Sequence, residues 1–153
     1  MSPITLIDTG RVIVVDVLGR PAPKGSRIAG KTKAGKAYTY PASTYEKGWV
    51  EEVSHATKLI MRHHSTPEPP YHVDLTFRLV KARRSIYVFP TGPDIDKLAR
   101  AVIDGLVRGG AMRDDRYVTT LTVRKIFAVS DQEMGVRAEV SSEQDIWTVR
   151  DHL

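Results

Sequence analysis

The sequence predicts an α+β protein with two main helices among its strands, in the order β-α-β-α-β-β. Three patterns carry that expectation: apolar residues alternating at period two, apolar residues recurring at three and four, and proline or glycine punctuation between the two kinds of run. At 153 residues the chain suits one domain with a single core, spanning 1–153.

The elements follow in order. Arg11 to Leu18 is rich in valine and isoleucine and stops at Gly19, so a strand is expected there. Gly19 to Pro41 reads as a long basic loop, with Tyr38 and Tyr40 near its end. Ser43 or Thr44 can cap a helix in which Tyr45, Trp49, Val53, Ala56 and Ile60 share a stripe, running to about His63. Pro67, Pro69 and Pro70 end it, and His72 to Val80 alternates as a half-buried strand that Ile86 to Phe89 extends or pairs with. A second helix spans roughly 94 to 108, opened by Pro93-Asp94 and closed by Gly109-Gly110. Its stripe of Ile95, Leu98, Val102 and Leu106 opposes a charged face of Asp96, Lys97, Arg100, Asp104 and Arg108. Tyr117 to Phe127 and Gly135 to Val140 are expected as strands, and the tail Ser141 to Leu153, amphiphilic enough for a short docked helix, is left unassigned.

Composition removes several classes of function. Without cysteine there is no disulfide framework, thiolate metal site or cysteine nucleophile, which leaves hard oxygen or imidazole ligands. No apolar run, Val12 to Val15 included, is long enough to span a bilayer, and residues 1 to 8 lack a secretory pattern. A cytoplasmic, non-membrane protein is expected. The histidines, including adjacent His63 and His64, show no zinc spacing, and Gly30 to Gly35 lacks the ending of a nucleotide-binding loop, so no nucleotide cofactor is expected.

Charge is uneven. No acid occurs from Val17 to Tyr45, where Arg20, Lys24, Arg27, Lys31, Lys33 and Lys36 lie, nor from Leu75 to Pro93, which holds Arg78, Lys81, Arg83 and Arg84. After these windows stand Asp94, Asp96, Asp104, Asp114 and Asp115. Such basic arms suit phosphate contacts. The acids have a plain structural account as a cap, a first-turn dipole partner and turn formers, and Asp104 one as a helical pair of Arg100 or Arg108. They also have a chemical one, if the helix mouth and the later turn converge.

The string Pro93-Asp94-Ile95-Asp96-Lys97-Leu98, with Ala101, Asp104-Gly105-Leu106 and then Asp114-Asp115 before a strand, resembles the RusA family of Holliday-junction resolvases. Gly19 to Lys24, Tyr38 to Tyr40 and Lys125 resemble it too, so the likeness covers about residues 12 to 128. The resemblance implies a small mixed β-sheet with two helices, a homodimer, four-way DNA junctions as substrate and phosphodiester hydrolysis with magnesium, for which manganese is a substitute. By motif, Asp94, Asp96 and Asp115 match the family's metal-binding carboxylates, with Asp114 beside them. Lys97 departs from a common asparagine, and Arg100 from a lysine one turn along the helix.

The residue types suit that chemistry. Carboxylates can hold magnesium in water-rich coordination, and a cation on the same helix face stabilises charge developing on the phosphate. Arg100 fits that electrostatic task but keeps its proton, which leaves Lys97 or a water to protonate the leaving group. Arg20, Lys24, Arg27, Lys31, Lys33, Lys36 and Lys125 are the expected DNA contacts. Tyr38 and Tyr40 are expected to pack on the first helix, with base stacking as the alternative. The dimer is expected to use apolar residues of the first helix or the tail. The rival expectations are a noncatalytic DNA-binding protein and a nuclease of the same fold acting on flaps, forks or RNA.

Overall fold

A computed structural model describes residues 12–25, 27–41 and 45–144, with the side chains of 27–30 and 38–41 outside that description. The strands are β1 (Ile13–Leu18), β2 (Arg27–Lys31), β3 (Ala37–Pro41), β4 (Tyr71–Leu79), β5 (Val118–Phe127) and β6 (Gly135–Ser142). The helices are α1 (Glu46–Met61) and α2 (Ile95–Arg108). The predicted order holds, with one insertion: β2 and β3 form a separate antiparallel hairpin inside the stretch read as a loop.

Four strands make a mixed sheet in the order β1-β6-β4-β5. β6 runs antiparallel to both neighbours, pairing Val15 with Ala138 and Leu75 with Ala138, while β4 and β5 are parallel. A parallel pair needs a crossover, and α2 supplies it. Alternation on β4 then decides the faces. Tyr71, Val73, Leu75 and Phe77 are fully buried, whereas Asp74, Thr76 and Arg78 between them lie on the face turned away, where Arg78 pairs with Asp16 and Arg124 with Asp74. Leu98, Val102 and Leu106 close the core from α2, and Trp49, Val50 and Val53 from α1.

The two helices approach closely because α2 lacks side chains at the seam. A Cβ on Gly105 would stand 2.6 Å from Val53 Cγ1, and one on Gly109 would strike Thr57. Gly109 therefore serves the packing, while Gly110, at φ +92°, makes the left-handed turn that ends the helix.

Three expectations change. Val80 to Pro93 carries no strand, since Ile86 to Phe89 has no strand partner among the described residues. Helix α1 stops at Met61, two residues before His63, and is preceded by Tyr45; Ser43 and Thr44 lie outside the described residues. β6 runs on to Ser142, into the unassigned tail, whose residues beyond 144 are also outside them.

Candidate active site

Helix α2 starts where the sequence puts it. Asp94, in extended conformation (φ −60°, ψ 136°), is the N-cap, and its carboxylate makes no capping bond. It stands exposed instead, 3.4 Å from Lys97 Nζ. Lys125, expected among the DNA contacts, holds the turn before the helix: its ammonium donates to the carbonyls of Thr91 at 2.6 Å and Pro93 at 3.1 Å. The strand end thus fixes the backbone from which Asp94 and Asp96 project.

The basic segment after β1 docks on the charged face of α2. Lys24 N–H donates to the Lys97 carbonyl at 3.0 Å, and Lys24 Nζ reaches Asp104 Oδ2 at 2.6 Å, an oxygen also held by Arg108 at 3.1 Å. Gly25, at φ +89°, lies against Arg100, where a Cβ would meet the guanidinium at 2.7 Å. Asp104 therefore neutralises two cations, one of them 80 residues away in sequence, and its structural account is the one the geometry supports.

Arg100 is exposed and has no ion pair among the described residues. It lines two adjoining pockets that together form a groove between α2 and β5. One, of about 400 Å³, is lined by Lys24, Arg100, Asp104, Asp115 and Thr119 to Leu121 among others. The other, of about 420 Å³, is lined by Asp96, Ala99, Arg100, Ile103, Leu121 and Val123 among others. Asp96 and Asp115 thus stand toward opposite ends, with Arg100, Ile103 and Leu121 between them. Asp104 lies eight residues past Asp96, which is about 12 Å along the helix axis.

Asp114 and Asp115 sit at a single 3-10 turn, Asp115–Tyr117. Arg116 N–H donates to Asp114 Oδ1 at 3.0 Å, and that bond holds the Asp114 carboxyl below its usual range. Among the described residues no three aspartate, glutamate or histidine side chains gather closely enough to hold a metal ion. The donors are the hard oxygens that magnesium takes, but within one chain they form two separate pairs. Among the described residues the helix mouth and the later turn do not by themselves bring three of these carboxylates together.

The remaining expected contacts divide. Arg20 lies over the Tyr45 ring at 5.2 Å. Lys31, Lys33 and Lys36 are exposed around the hairpin turn, where Thr32 and Lys36 bond each other and Gly35 takes φ +84°. The side chains of Arg27, Tyr38 and Tyr40 are outside the description. Sequence reading missed the glycine that seats Arg100 and the threonines of β5 that wall the groove. A glycine directly after Lys24 was the available signal for the first.

A guanidinium without an ion pair among the described residues, in an open groove with lysine and carboxylates around it, has the make-up of a site for a phosphate ester. The comparisons name the class. The family model for Endodeoxyribonuclease RusA matches residues 19–141, and the chain belongs to that family of nucleases. The match runs through β6, beyond the expected limit near residue 128. No curated protein matches. Among solved structures, the periplasmic domain of Helicobacter pylori MotB is 9% identical, covering 91% of this chain and 94% of its own at a TM-score of 0.38, a likeness too loose to carry an argument. Among the described residues no helix is long and apolar enough to cross a membrane.

Proposed function

We propose that this chain is a magnesium-dependent endodeoxyribonuclease that cuts four-way DNA junctions as a homodimer, each of its two sites drawing carboxylates from both copies. The observation that carries the reading is the polarity of one groove: Asp96 at one end, Asp115 at the other, and β5 running between them.

β5 is the edge of its sheet and, among the described residues, pairs only with β4. The open edge of this ten-residue strand is a template for another strand, and Leu121 and Ile126 on it are 46% and 43% exposed. Antiparallel pairing of this edge with a second copy, about a twofold axis, reverses the groove and sets each Asp115 end against the other copy's Asp94 and Asp96. This favours β5 over the first helix or the tail as the dimer surface. Two equivalent sites then face a substrate that must be cut on two strands.

In such a site Asp94, Asp96 and the partner's Asp115, with its Asp114 adjacent, would hold magnesium, which supplies Lewis-acid stabilisation of the phosphoryl oxygens and a more acidic water. Arg100 holds the scissile phosphate and offsets its growing charge without giving up a proton. Lys97 stands 3.4 Å from Asp94 and can donate one. Lys24 and the hairpin lysines meet the flanking backbone electrostatically.

The test uses labelled four-way junction and matched linear duplex, with and without magnesium. Wild type should nick the junction in pairs and spare the duplex, and Asp96→Asn and Asp115→Asn should each be inactive. Mixing the two variants should restore nicking, because a mixed dimer pairs one intact Asp96 end with one intact Asp115 end. Silence of every mixture, with wild type active, would place both carboxylates of a site in one chain. An inactive wild type that still binds junctions would leave a noncatalytic DNA-binding protein.

A further inference from the structure

The segment from Val80 to Pro93, between β4 and α2, is not used by the site described above. It carries four successive large apolar residues in the open. Ile86 and Val88 are each 88% exposed, and Tyr87 and Phe89 about half exposed, their rings 5.2 Å apart and tilted by 45°. Soluble domains scatter single apolar residues over their surface, but a contiguous exposed run marks a contact. The segment's base is tethered: Ser85 N–H donates to the Ala82 carbonyl, Tyr87 N–H to Ser85 Oγ, and Lys125 grips Thr91 and Pro93. The apolar tip is thus presented on a held stem, with only four residues between Phe89 and Asp94.

The flanking charge selects the occupant. Lys81, Arg83 and Arg84 are exposed, have no ion pair among the described residues, and lie in a window with no acid from Leu75 to Pro93. Symmetric docking of this loop on a second copy would bring three cations against three, with no carboxylate in the window to offset them. A polyanion accepts them. Apolar side chains inserted between base steps, with cations on the adjoining phosphates, are a general way of opening and bending DNA, and unstacking costs least where stacking is already broken.

Resting on the junction-cutting reading, we propose that Ile86 to Phe89 is a wedge that enters the branch point of the junction and unstacks the bases there, while Lys81, Arg83 and Arg84 hold the phosphates beside it. The wedge delivers an opened backbone to Asp94 and Asp96, which follow it directly in the chain.

The experiment is done without divalent ion, so that binding is read apart from cleavage. Full-length wild type, Ile86→Ser/Val88→Ser and Tyr87→Ala/Phe89→Leu are titrated against a four-way junction and a linear duplex, each with 2-aminopurine at the central position. Wild type should raise the fluorescence several-fold on the junction alone. Both variants, melting as wild type does, should lose that rise and bind the junction about tenfold more weakly, with duplex affinity within twofold of wild type. Retention of the rise in both variants, equal losses on junction and duplex, or a shift from dimer to monomer in sedimentation would each overturn the wedge. Magnesium cleavage by the same wild-type sample separates the two readings. Opening without cutting sinks the nuclease alone, and cutting with the rise intact in both variants sinks the wedge alone.

Discussion

Arg100 owes its freedom to its neighbours. Asp104, one turn along the same face, is already bound by Lys24 at 2.6 Å and Arg108 at 3.1 Å, while Asp96, one turn back, makes no ion pair with Arg100 among the described residues, so the guanidinium stays in the groove. Sequence spacing offered Asp104 to Arg100 or Arg108, and only the fold adds Lys24 as the competitor. The expected outcome is that Arg100→Met lowers the junction-cleavage rate by about 10²- to 10³-fold, as losing one preorganised donor does. The melting temperature should not change, because no ion pair is lost. Arg100→Lys should keep most of the rate, since charge rather than proton transfer is required; single-turnover assays measure both. A methionine variant with full activity would remove the residue from the mechanism. Lys125 teaches the opposite lesson: a lysine at a strand end reads as a surface cation, but here it satisfies two turn carbonyls.

At the level of elements, α2 was legible almost to the residue, because Pro93-Asp94 and Gly109-Gly110 punctuate a stripe of period 3.6. The hairpin was not. Its first strand, Arg27-Ile28-Ala29-Gly30-Lys31, has no apolar alternation, the Tyr38-Thr39-Tyr40 alternation of the second is only three residues long, and pairing that rests on backbone bonds leaves little trace in composition. The glycine seam was half legible. Gly109 signalled a helix end, whereas its use, and that of Gly105, is to admit Val53 and Thr57 of α1. Gly105→Ala should therefore destabilise the fold by about 1–3 kcal/mol through overpacking, despite alanine's better helix propensity. Urea unfolding of the variant measures it. A gain in stability would mean that the helices part easily.

For the whole molecule, the motif named the carboxylates, but their separation follows from sheet topology. Because β5 returns parallel to β4 beneath α2, the chain leaves Asp96 and Asp115 toward opposite ends of one groove. No spacing rule contains that. If the β5 edge joins two copies, Leu121→Glu should set like charges across the axis and yield a folded monomer in sedimentation that no longer cuts junctions. An active monomer would overturn the shared site.

The backbone bond from Lys24 to Lys97 has a mechanical side. It moors the stem of the lysine-tipped hairpin to the first turn of α2, at a residue next to Gly25, which lies against Arg100, and at Lys97, which pairs with Asp94. A DNA backbone held on the hairpin lysines would pull, through that one bond, on the turn from which Asp94 and Asp96 project.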